Sequence, residues 1–279
     1  MSEAEPYVRP LSAESRGEAP GRGRLVGRRI LIVGGGQQVV DAQTDPVGNG
    51  RAMAQLFARE GARVAVADRR REAAQATADL ISEAGDEALV IEADISHEAD
   101  VVRMVGEADD GLGGLDGLVL NVGVGVGGLG LANVKASEWD QVLGVNLRGP
   151  MLCCREALPR LEDGSSVVFI SSIAGLVAGS RLPAYDASKA ALAGLMRHVA
   201  LEGGRKGVRA NIVAPGLVDT PLGRRASQGR PSRGRTPVAF GRQATGWEIA
   251  YAALFLTSDE SVYVTAQILA VDSGLTGIS

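Results

Sequence analysis

Short apolar runs recur along the chain, and most of them end in residues that favour tight turns. Near-continuous runs of aliphatic residues, many of them β-branched, predict strands that are buried on both faces, as in a parallel sheet. We expect about seven such strands, at residues 29–33, 62–68, 89–91, 118–123, 167–170, 209–213 and 267–272.

Helical periodicity fills the intervals between these runs. Apolar side chains repeat on one face of residues 71–84, and another amphipathic helix begins after residues 48–50. Further helices are predicted at residues 96–105, 136–160, 187–200 and 248–256, with Pro150 bending the second of these four. Alternating strands and helices predict one α/β domain over residues 26–279, a doubly wound Rossmann-type fold with a central parallel sheet.

The composition limits the kinds of molecule that the protein is expected to bind. The formal net charge of −4 gives no reason to expect nucleic acid or an anionic membrane surface. The chain starts with an acidic stretch rather than a secretory signal, and its least charged stretch, residues 117–134, is interrupted by glycines. We therefore predict a cytoplasmic protein without a membrane span. Residues 1–25 combine prolines, glycines and mixed charges with few apolar residues, which predicts a flexible tail.

Cysteine and histidine offer no metal site. Cys153 and Cys154 are the only cysteines; as neighbours they do not form an ordinary structural bridge, and they lack metal-ligand spacing. His97 and His198 lie far from the motifs described below, which favours surface or packing roles. We predict no bound metal.

Glycines cluster where the first strand gives way to the first long helix. Gly34 follows that strand, and Gly48, Asn49 and Gly50 precede the helix. Such a turn forms a cradle for the pyrophosphate of a dinucleotide, because glycines admit the phosphates and the helix N-terminus offers free N–H groups. Asp68 ends the second strand, where a carboxylate binds the adenosine ribose hydroxyls and repels a 2′-phosphate. The sequence therefore favours NAD over NADP, although the three arginines after Asp68 could bind a phosphate.

Tyr185 and Lys189 stand four positions apart in a predicted helix, so they share one face. An ammonium about 4 Å from a phenol favours the phenolate by roughly 4 kcal/mol at an effective dielectric of about 20. This lowers the pKa of a phenol from about 10 toward neutrality. Ser172 follows the strand that precedes this helix, where its hydroxyl could bind a substrate oxygen while the tyrosine moves the proton.

This serine, tyrosine and lysine resemble the catalytic residues of the classical short-chain dehydrogenase/reductase family, and the resemblance runs from about residue 26 to the C-terminus. It implies reversible hydride transfer between NAD(H) and a secondary alcohol or ketone. Tyr185 would be the acid and base, Lys189 would lower its pKa and bind the nicotinamide ribose, and Ser172 would position the carbonyl oxygen. Asn146 matches the family's fourth catalytic residue, which holds a water on the proton path; the alternative is a buried helix asparagine bonded to its own backbone.

The resemblance also implies the remaining cofactor contacts. Asp94 is expected near the adenine amino group and Ile95 against the ring, with helix capping as the alternative for Asp94. Val218 would offer backbone atoms, and Thr220 its hydroxyl, to the nicotinamide carboxamide. The expected cofactor-binding residues are Gly34, Gly48, Asn49, Gly50, Asp68, Asp94, Ile95, Asn121, Gly123, Tyr185, Lys189, Pro215, Gly216, Val218 and Thr220.

The glycine-rich turn departs from the family pattern, which is Thr-Gly-x-x-x-Gly-x-Gly. Val33 replaces the threonine, and thirteen residues lie between Gly34 and Gly48 where the family has three. Two interpretations of the insertion, residues 37–47, are open. It is either a solvated loop or a flap over the pyrophosphate that slows cofactor exchange.

Residues 221–245 show no clear periodicity and correspond to the family's substrate lid. Six arginines lie there, at positions 224, 225, 230, 233, 235 and 242, and no acid intervenes. They could receive a carboxylate or phosphate of the substrate, or could belong to a solvated loop.

Two other functions remain open from the sequence. One is NADPH-dependent reduction of 3-oxoacyl thioesters, which the lid arginines favour and Asp68 opposes. The other is a non-catalytic cofactor-binding protein. For the protein as a whole we expect a homotetramer, because related enzymes pair the helices after Ser137 and Ala184 across a dimer axis, and small residues on the latter helix allow close approach. These are Ala187, Ala190, Ala191, Ala193 and Gly194.

Overall fold

The structure, a computed structural model, describes residues 7–37, 45–228 and 236–278. Seven parallel strands form the central sheet in the order β3-β2-β1-β4-β5-β6-β9. The strands are β1 (Arg29–Val33), β2 (Arg63–Asp68), β3 (Ala88–Glu92), β4 (Leu115–Leu120), β5 (Leu161–Ile170), β6 (Arg209–Pro215) and β9 (Ile268–Val271). Two short strands, β7 (Val218–Asp219) and β8 (Ala244–Thr245), pair beside the sheet. The predicted doubly wound α/β architecture is confirmed.

Helices cover both faces of the sheet. They are α1 (Ala13–Arg16), α2 (Asn49–Arg59), α3 (Arg71–Glu83), α4 (Glu98–Leu112), α5 (Ala136–Leu143), α6 (Gly149–Ala157), α7 (Pro183–Gly203), α8 (Pro221–Gln228) and α9 (Gly246–Thr257). Alternate residues of β1 point to opposite faces, so Leu31 and Val33 join one core with α4, α6 and α7. Ile30 and Ile32 join the other core with α2 and α9.

The helix predicted at residues 136–160 is interrupted in its middle. A π-helical segment, Gly144–Arg148, separates α5 from α6, and Asn146 lies at its centre. Pro150 falls in the first turn of α6, where a missing N–H is tolerated. The bend expected from Pro150 therefore coincides with a π-bulge, a feature that is frequent at functional sites.

Residues 7–25 pack against the rest of the domain, which differs from the flexible tail predicted for this segment. Leu25 and Ala19 are buried, and α1 packs against α9. Besides the buried Leu25, ion pairs and backbone hydrogen bonds to distant residues hold the segment, and composition does not display such contacts.

The segment predicted as a substrate lid, residues 221–245, is partly helical. Residues 221–228 form α8, where no periodicity was expected, while residues 229–235 lie outside the described part. The segment predicted as an insertion, residues 37–47, is likewise described only at its ends, so both interpretations of its centre, residues 38–44, fall outside the described residues. Within the described ranges, no helix is long and apolar enough to cross a membrane.

Candidate active site

The predicted site residues gather at the carboxyl edge of the sheet. All seven strands are parallel, so the residues that follow them share one edge. After β1 the chain adds β2 and β3 on one side, and β4 starts the other side. The crevice between β1 and β4 is therefore the topological switch point, where ligands bind in open α/β sheets.

Tyr185 and Lys189 lie together on the first turns of α7. The Lys189 Nζ lies 5.8 Å from the centroid of the Tyr185 ring. Lys189 also donates a hydrogen bond of 3.0 Å to the carbonyl of Ile170, the last residue of β5. The lysine is thus anchored at the strand end, with its charge beside the phenol.

Lys189 is 4% exposed, and burial lowers the pKa of its ammonium from 10.5 to about 8. The ammonium is therefore mostly charged at neutral pH, but it gives up its proton more readily than a surface lysine. A readily titrated lysine beside a tyrosine is suited to a proton path.

The two adjacent serines that follow β5 make different contacts. The Ser171 hydroxyl donates to the carbonyl of Lys189 at 2.9 Å, which ties the strand end to α7. Ser172 is partly exposed, and its hydroxyl oxygen accepts a hydrogen bond of 3.2 Å from the N–H of Ala174. Among the described residues this hydroxyl donates to no acceptor, so its hydrogen is available for a substrate oxygen.

Asn146 is fully buried, and its side chain joins three parts of the site. Its Oδ1 accepts from the N–H of Val124 at 2.8 Å, and its Nδ2 donates to the carbonyl of Val124 at 2.9 Å and to the Ser188 hydroxyl at 3.0 Å. The alternative in which it bonds its own helix backbone is therefore wrong for the side chain.

Ser188 is a site residue that the sequence reasoning missed. Its hydroxyl donates to the Tyr185 carbonyl at 2.8 Å while accepting from Asn146, so it links the π-helical segment to the first turn of α7. The available signal was its place directly before Lys189, on the buried face of the helix.

The glycine cradle is closed by contacts that exclude larger side chains. A Cβ at Gly50 would lie 2.0 Å from the carbonyl oxygen of Gly34, and Gly34 itself has a φ of +81°. The Asn121 Nδ2 donates to that same carbonyl at 2.8 Å. A Cβ at Gly123 would lie 3.0 Å from the Lys189 Nζ. The two glycine-rich turns therefore meet between β1 and β4, within reach of the lysine.

The N-terminus of α2 carries a buried acceptor without a donor. Within the described structure, Asn49 Oδ1 is buried and has no hydrogen-bond partner. An unpaired buried acceptor is unfavourable unless a ligand supplies a donor. Together with the cradle, this atom fits a bound dinucleotide, whose ribose hydroxyls and carboxamide carry donors.

Gln37 and Gly48 bring together the two ends of the segment predicted as an insertion. The Gln37 Oε1 accepts from the N–H of Gly48 at 2.7 Å, and its Nε2 donates to the carbonyl of Pro46 at 3.2 Å. Arg70 donates to the Gln37 carbonyl at 3.1 Å. The Gln37 side chain is thus occupied by the loop rather than free for a phosphate.

Asp68 lies at the end of β2, beside the glycine turn. Burial raises the pKa of its carboxyl, against the opposing effect of a hydrogen bond of 3.2 Å from the N–H of Arg70. A Cβ at Gly36 would lie 2.7 Å from its Oδ2, so the carboxylate faces the turn at short range. This is the place expected for the adenosine ribose.

The residues assigned to adenine have other partners as well. Asp94 accepts from the N–H and hydroxyl of Ser96 at 2.9 and 2.7 Å, so it closes a turn before α4, whose N-cap is His97. Ile95 is buried in the core, and a Cβ at Gly149 would overlap it. Ile95 therefore offers little surface to a ring. A polar cavity of about 450 Å³ lies beside Asp94, with Arg69, Arg71 and Arg103 among its lining residues.

The segment after β6 is held from two sides. The N–H of Gly216 donates to the carbonyl of Val271 at 3.0 Å. Val218 pairs with Ala244 in the β7–β8 ladder, and the Thr220 hydroxyl accepts from the N–H of Gly223 at 3.1 Å. Pro215 ends β6, so the four predicted cofactor-binding residues of this segment lie at the carboxyl edge.

The two cysteines do not form a second site. Burial raises the pKa of the Cys153 thiol to about 12, and that of Cys154 well above its ordinary value, so neither is a reactive thiolate. His97, Cys153 and Cys154 join no cluster of metal ligands in the described ranges.

Known proteins resemble the chain over most of its length. The family model described as "Enoyl-(Acyl carrier protein) reductase" matches residues 46–276. The glucose 1-dehydrogenase of Gluconobacter oxydans is 34% identical, over 92% of this chain and 95% of its own. The human 3-oxoacyl-[acyl-carrier-protein] reductase is 37% identical, over 82% and 93%.

Solved structures extend this similarity to three dimensions. A short-chain dehydrogenase/reductase of Burkholderia xenovorans superposes with a TM-score of 0.82, at 36% identity, over 90% of this chain and 97% of its own. A short-chain dehydrogenase of Burkholderia cenocepacia, solved in complex with NADP, gives 0.80 at 29% identity, over 90% and 98%. The chain belongs to the classical short-chain dehydrogenase/reductase family.

Proposed function

We propose that this protein is an NAD-dependent oxidoreductase that interconverts a secondary alcohol and a ketone. The observation that carries the proposal is the buried Lys189, which lies beside Tyr185 and against Gly123 at the switch point of the sheet. NAD, when bound, supplies the hydride acceptor. The protein binds and orients the reactants and moves the proton.

Each polar group of the site has a distinct task in this proposal. Tyr185 takes the hydroxyl proton of the alcohol, or returns it to the ketone oxygen. Lys189 stabilises the phenolate and binds the nicotinamide ribose. The Ser172 hydroxyl donates to the substrate oxygen and fixes its position. Asn146 holds the π-helical segment in place, so that a water on this side of Lys189 completes the path to solvent.

The substrate body is proposed to be apolar and uncharged. Exposed aliphatic side chains occur in two neighbouring segments: Leu176 and Val177 follow Ser172 in the chain by a few positions, and Leu222 lies in the first turn of α8. The described lid arginines have partners: Arg224 is paired with Asp219 at 2.7 Å and Arg242 with Glu248 at 2.6 Å. These pairs weaken the hypothesis that the lid receives an anion.

The proposal is tested with a panel of secondary alcohols that spans alicyclic, open-chain and sugar compounds, each followed by the formation of NADH. We expect alicyclic and open-chain alcohols to react with higher kcat/KM than sugars. Tight binding of NADH without turnover of any alcohol or ketone would instead favour a non-catalytic cofactor-binding protein.

The second candidate function is the reduction of 3-oxoacyl thioesters with NADPH. The similarity to the human 3-oxoacyl-[acyl-carrier-protein] reductase favours it, as does the Burkholderia cenocepacia relative bound to NADP. Asp68 opposes it, because a carboxylate in a partly buried site repels a 2′-phosphate. A higher kcat/KM for acetoacetyl thioester with NADPH than for any alcohol with NAD would decide in its favour.

Replacing Asp68 with alanine is expected to reduce the preference for NAD over NADP. The carboxylate accepts ribose hydrogen bonds, and a charge-assisted hydrogen bond contributes about 1.5–3 kcal/mol, so we expect a loss of about tenfold or more in NADH affinity. Titrations of NADH and NADPH fluorescence measure both changes. Glu87→Ala, an exposed acid that precedes β3 at the opposite edge of the sheet, is the control. A wild-type protein that binds NADPH more tightly than NADH would refute the assignment.

We also propose a homotetramer. In α7, Ala190 and Gly194 are exposed, and a Cβ at Gly194 would meet nothing within 4 Å, so this side of the helix is open to close packing. Light scattering at micromolar concentration tests the proposal, and a monomer would contradict it. The cytoplasmic location stays a prediction.

A further inference from the structure

The N-terminal strap, residues 7–25, lies along the root of the substrate lid. The N–H of Arg9 donates to the carbonyl of Phe240 at 3.0 Å, and the Arg242 Nε donates to the carbonyl of Arg9 at 2.8 Å. The Arg9 guanidinium also lies 5.2 Å from the centroid of the Phe240 ring. Arg9, near the start of the strap, therefore both donates a hydrogen bond to and accepts one from residues just before β8.

Glu248 joins the strap to the lid root. Its Oε1 accepts from the Ser15 hydroxyl at 2.8 Å and from Arg242 at 2.6 Å, while its Oε2 accepts from the N–H of Thr245 at 2.9 Å. The Thr245 hydroxyl donates back to the carbonyl of Ser15 at 2.8 Å. Burial alone would raise the pKa of Glu248, but the hydrogen bonds from Arg242, Thr245 and Ser15 hold it below its ordinary value. The Glu248 carboxylate is therefore ionised, and both of its oxygens accept hydrogen bonds.

The other end of the strap is fixed to α2. Glu60, which is fully buried, pairs with Arg24 at 2.6 Å and accepts the N–H groups of Arg22 and Arg24 at 3.0 Å each. Arg59 donates to the carbonyls of Gly17 and Ala19 at 2.7 and 3.1 Å. Removing one member of such a buried pair is strongly destabilising, so this end is a firm anchor.

Contacts continue from the strap to the proposed nicotinamide segment. Thr245 and Ala244 form β8, which pairs with Asp219 and Val218 of β7. The N–H of Ala244 also donates to the carbonyl of Leu217 at 2.9 Å. Two consecutive sets of contacts thus connect three segments: the strap is bonded to β8, and β8 is bonded to β7.

We propose that the strap is a positioning element for the nicotinamide-binding segment. By holding Thr245 and Glu248, it fixes β8, and β8 fixes the backbone of residues 217–220 in the conformation that binds the nicotinamide carboxamide. This inference rests on the proposed function only for the identity of the ligand. The mechanical link from the strap to β7 stands on the contacts alone.

Ser15→Ala tests the link with a small change, because it removes one hydroxyl that donates to a carboxylate. We expect a rise of about three- to tenfold in the Kd for NADH, as follows from the loss of one hydrogen bond. The Kd for ADP-ribose, which lacks the nicotinamide, should not change. Ser82→Ala, at an exposed position of α3, is the matched control and should alter neither value. A variant that lacks residues 1–11, and with them Arg9, should show the NADH effect more strongly.

Hydrogen exchange of the whole protein measures the link without any ligand. In Ser15→Ala, amides in residues 217–220 and 243–248 should exchange faster, whereas amides of β1 should exchange as in the wild type. Unchanged exchange in 217–220 would overturn the proposal, and so would equal weakening of NADH and ADP-ribose. If the wild type bound no nicotinamide cofactor, the proposed function would fail, but the exchange result would still decide whether the strap positions β7.

Discussion

Replacing Tyr185 with phenylalanine is expected to lower kcat by about 10²–10⁴-fold, the usual contribution of general acid–base catalysis. The variant loses the group that moves the proton but keeps the ring that packs beside Lys189. We therefore expect the Kd for NADH to stay close to its wild-type value. Single-turnover measurements with the best alcohol of the panel, and NADH fluorescence titrations, give the two quantities.

Tyr263→Phe is the matched control for this substitution. Tyr263 is fully exposed, so the same chemical change there should leave kcat unaltered. Retention of more than about a tenth of the wild-type rate by Tyr185→Phe would show that another group transfers the proton, because the expected loss is at least about 10²-fold.

Replacing Lys189 with methionine is expected to abolish turnover and to stabilise the fold. Turnover should fall by at least about 10²-fold, because the tyrosine loses the charge that makes it an effective base. Stability should rise at neutral pH, because burial lowers the pKa of Lys189 from 10.5 to about 8, so folding a charged lysine is unfavourable. At 1.36 kcal/mol per pKa unit this penalty is about 3 kcal/mol, and loss of the hydrogen bond to Ile170 offsets part of it.

The pH dependence of stability separates this effect from simple repacking. The folded-state pKa of Lys189 lies below the unfolded value, so between about pH 8 and 10.5 the unfolded chain binds more protons than the folded one. The contribution of Lys189 to the free energy of unfolding should therefore rise with pH across this window, and Lys189→Met should lack that rise. Denaturant titrations at several pH values measure it. Lys135→Met, which removes an exposed lysine, is the control and should keep the rise. A free energy of unfolding that does not rise with pH in the wild type relative to Lys189→Met would contradict this expectation.

The central sheet was predictable because its signal is local. Aliphatic runs such as residues 29–33 identify buried strands, and parallel pairing places every strand's carboxyl end at one edge. The position of Asp68 and Ser172 at that edge follows directly. Strand ends were less predictable: β5 starts at Leu161, and exposed polar residues follow it before the apolar run.

The strap was not predictable from the sequence because its contacts are polar and remote. Ser15 and Glu248 are 233 positions apart, and neither residue carries a pattern that points to the other. A low apolar content predicts disorder only when the segment lacks polar contacts with the rest of the protein. Here Glu60, Arg59 and Arg242 supply such contacts to the strap. The contact of Ser188 was not predictable for a related reason, because its hydrogen bond from Asn146 depends on where the π-helical segment places that asparagine.

Transfer of a deuterium label tests the central claim most directly. The best secondary alcohol of the panel, labelled with deuterium on its carbinol carbon, is incubated with NAD and the wild-type protein, and the mass of the reduced cofactor is measured. Direct hydride transfer predicts NADH that is one mass unit heavier, formed at a rate that Tyr185→Phe lowers by about 10²-fold or more. Unlabelled NADH, or bound NAD that is never reduced by any alcohol, would contradict it.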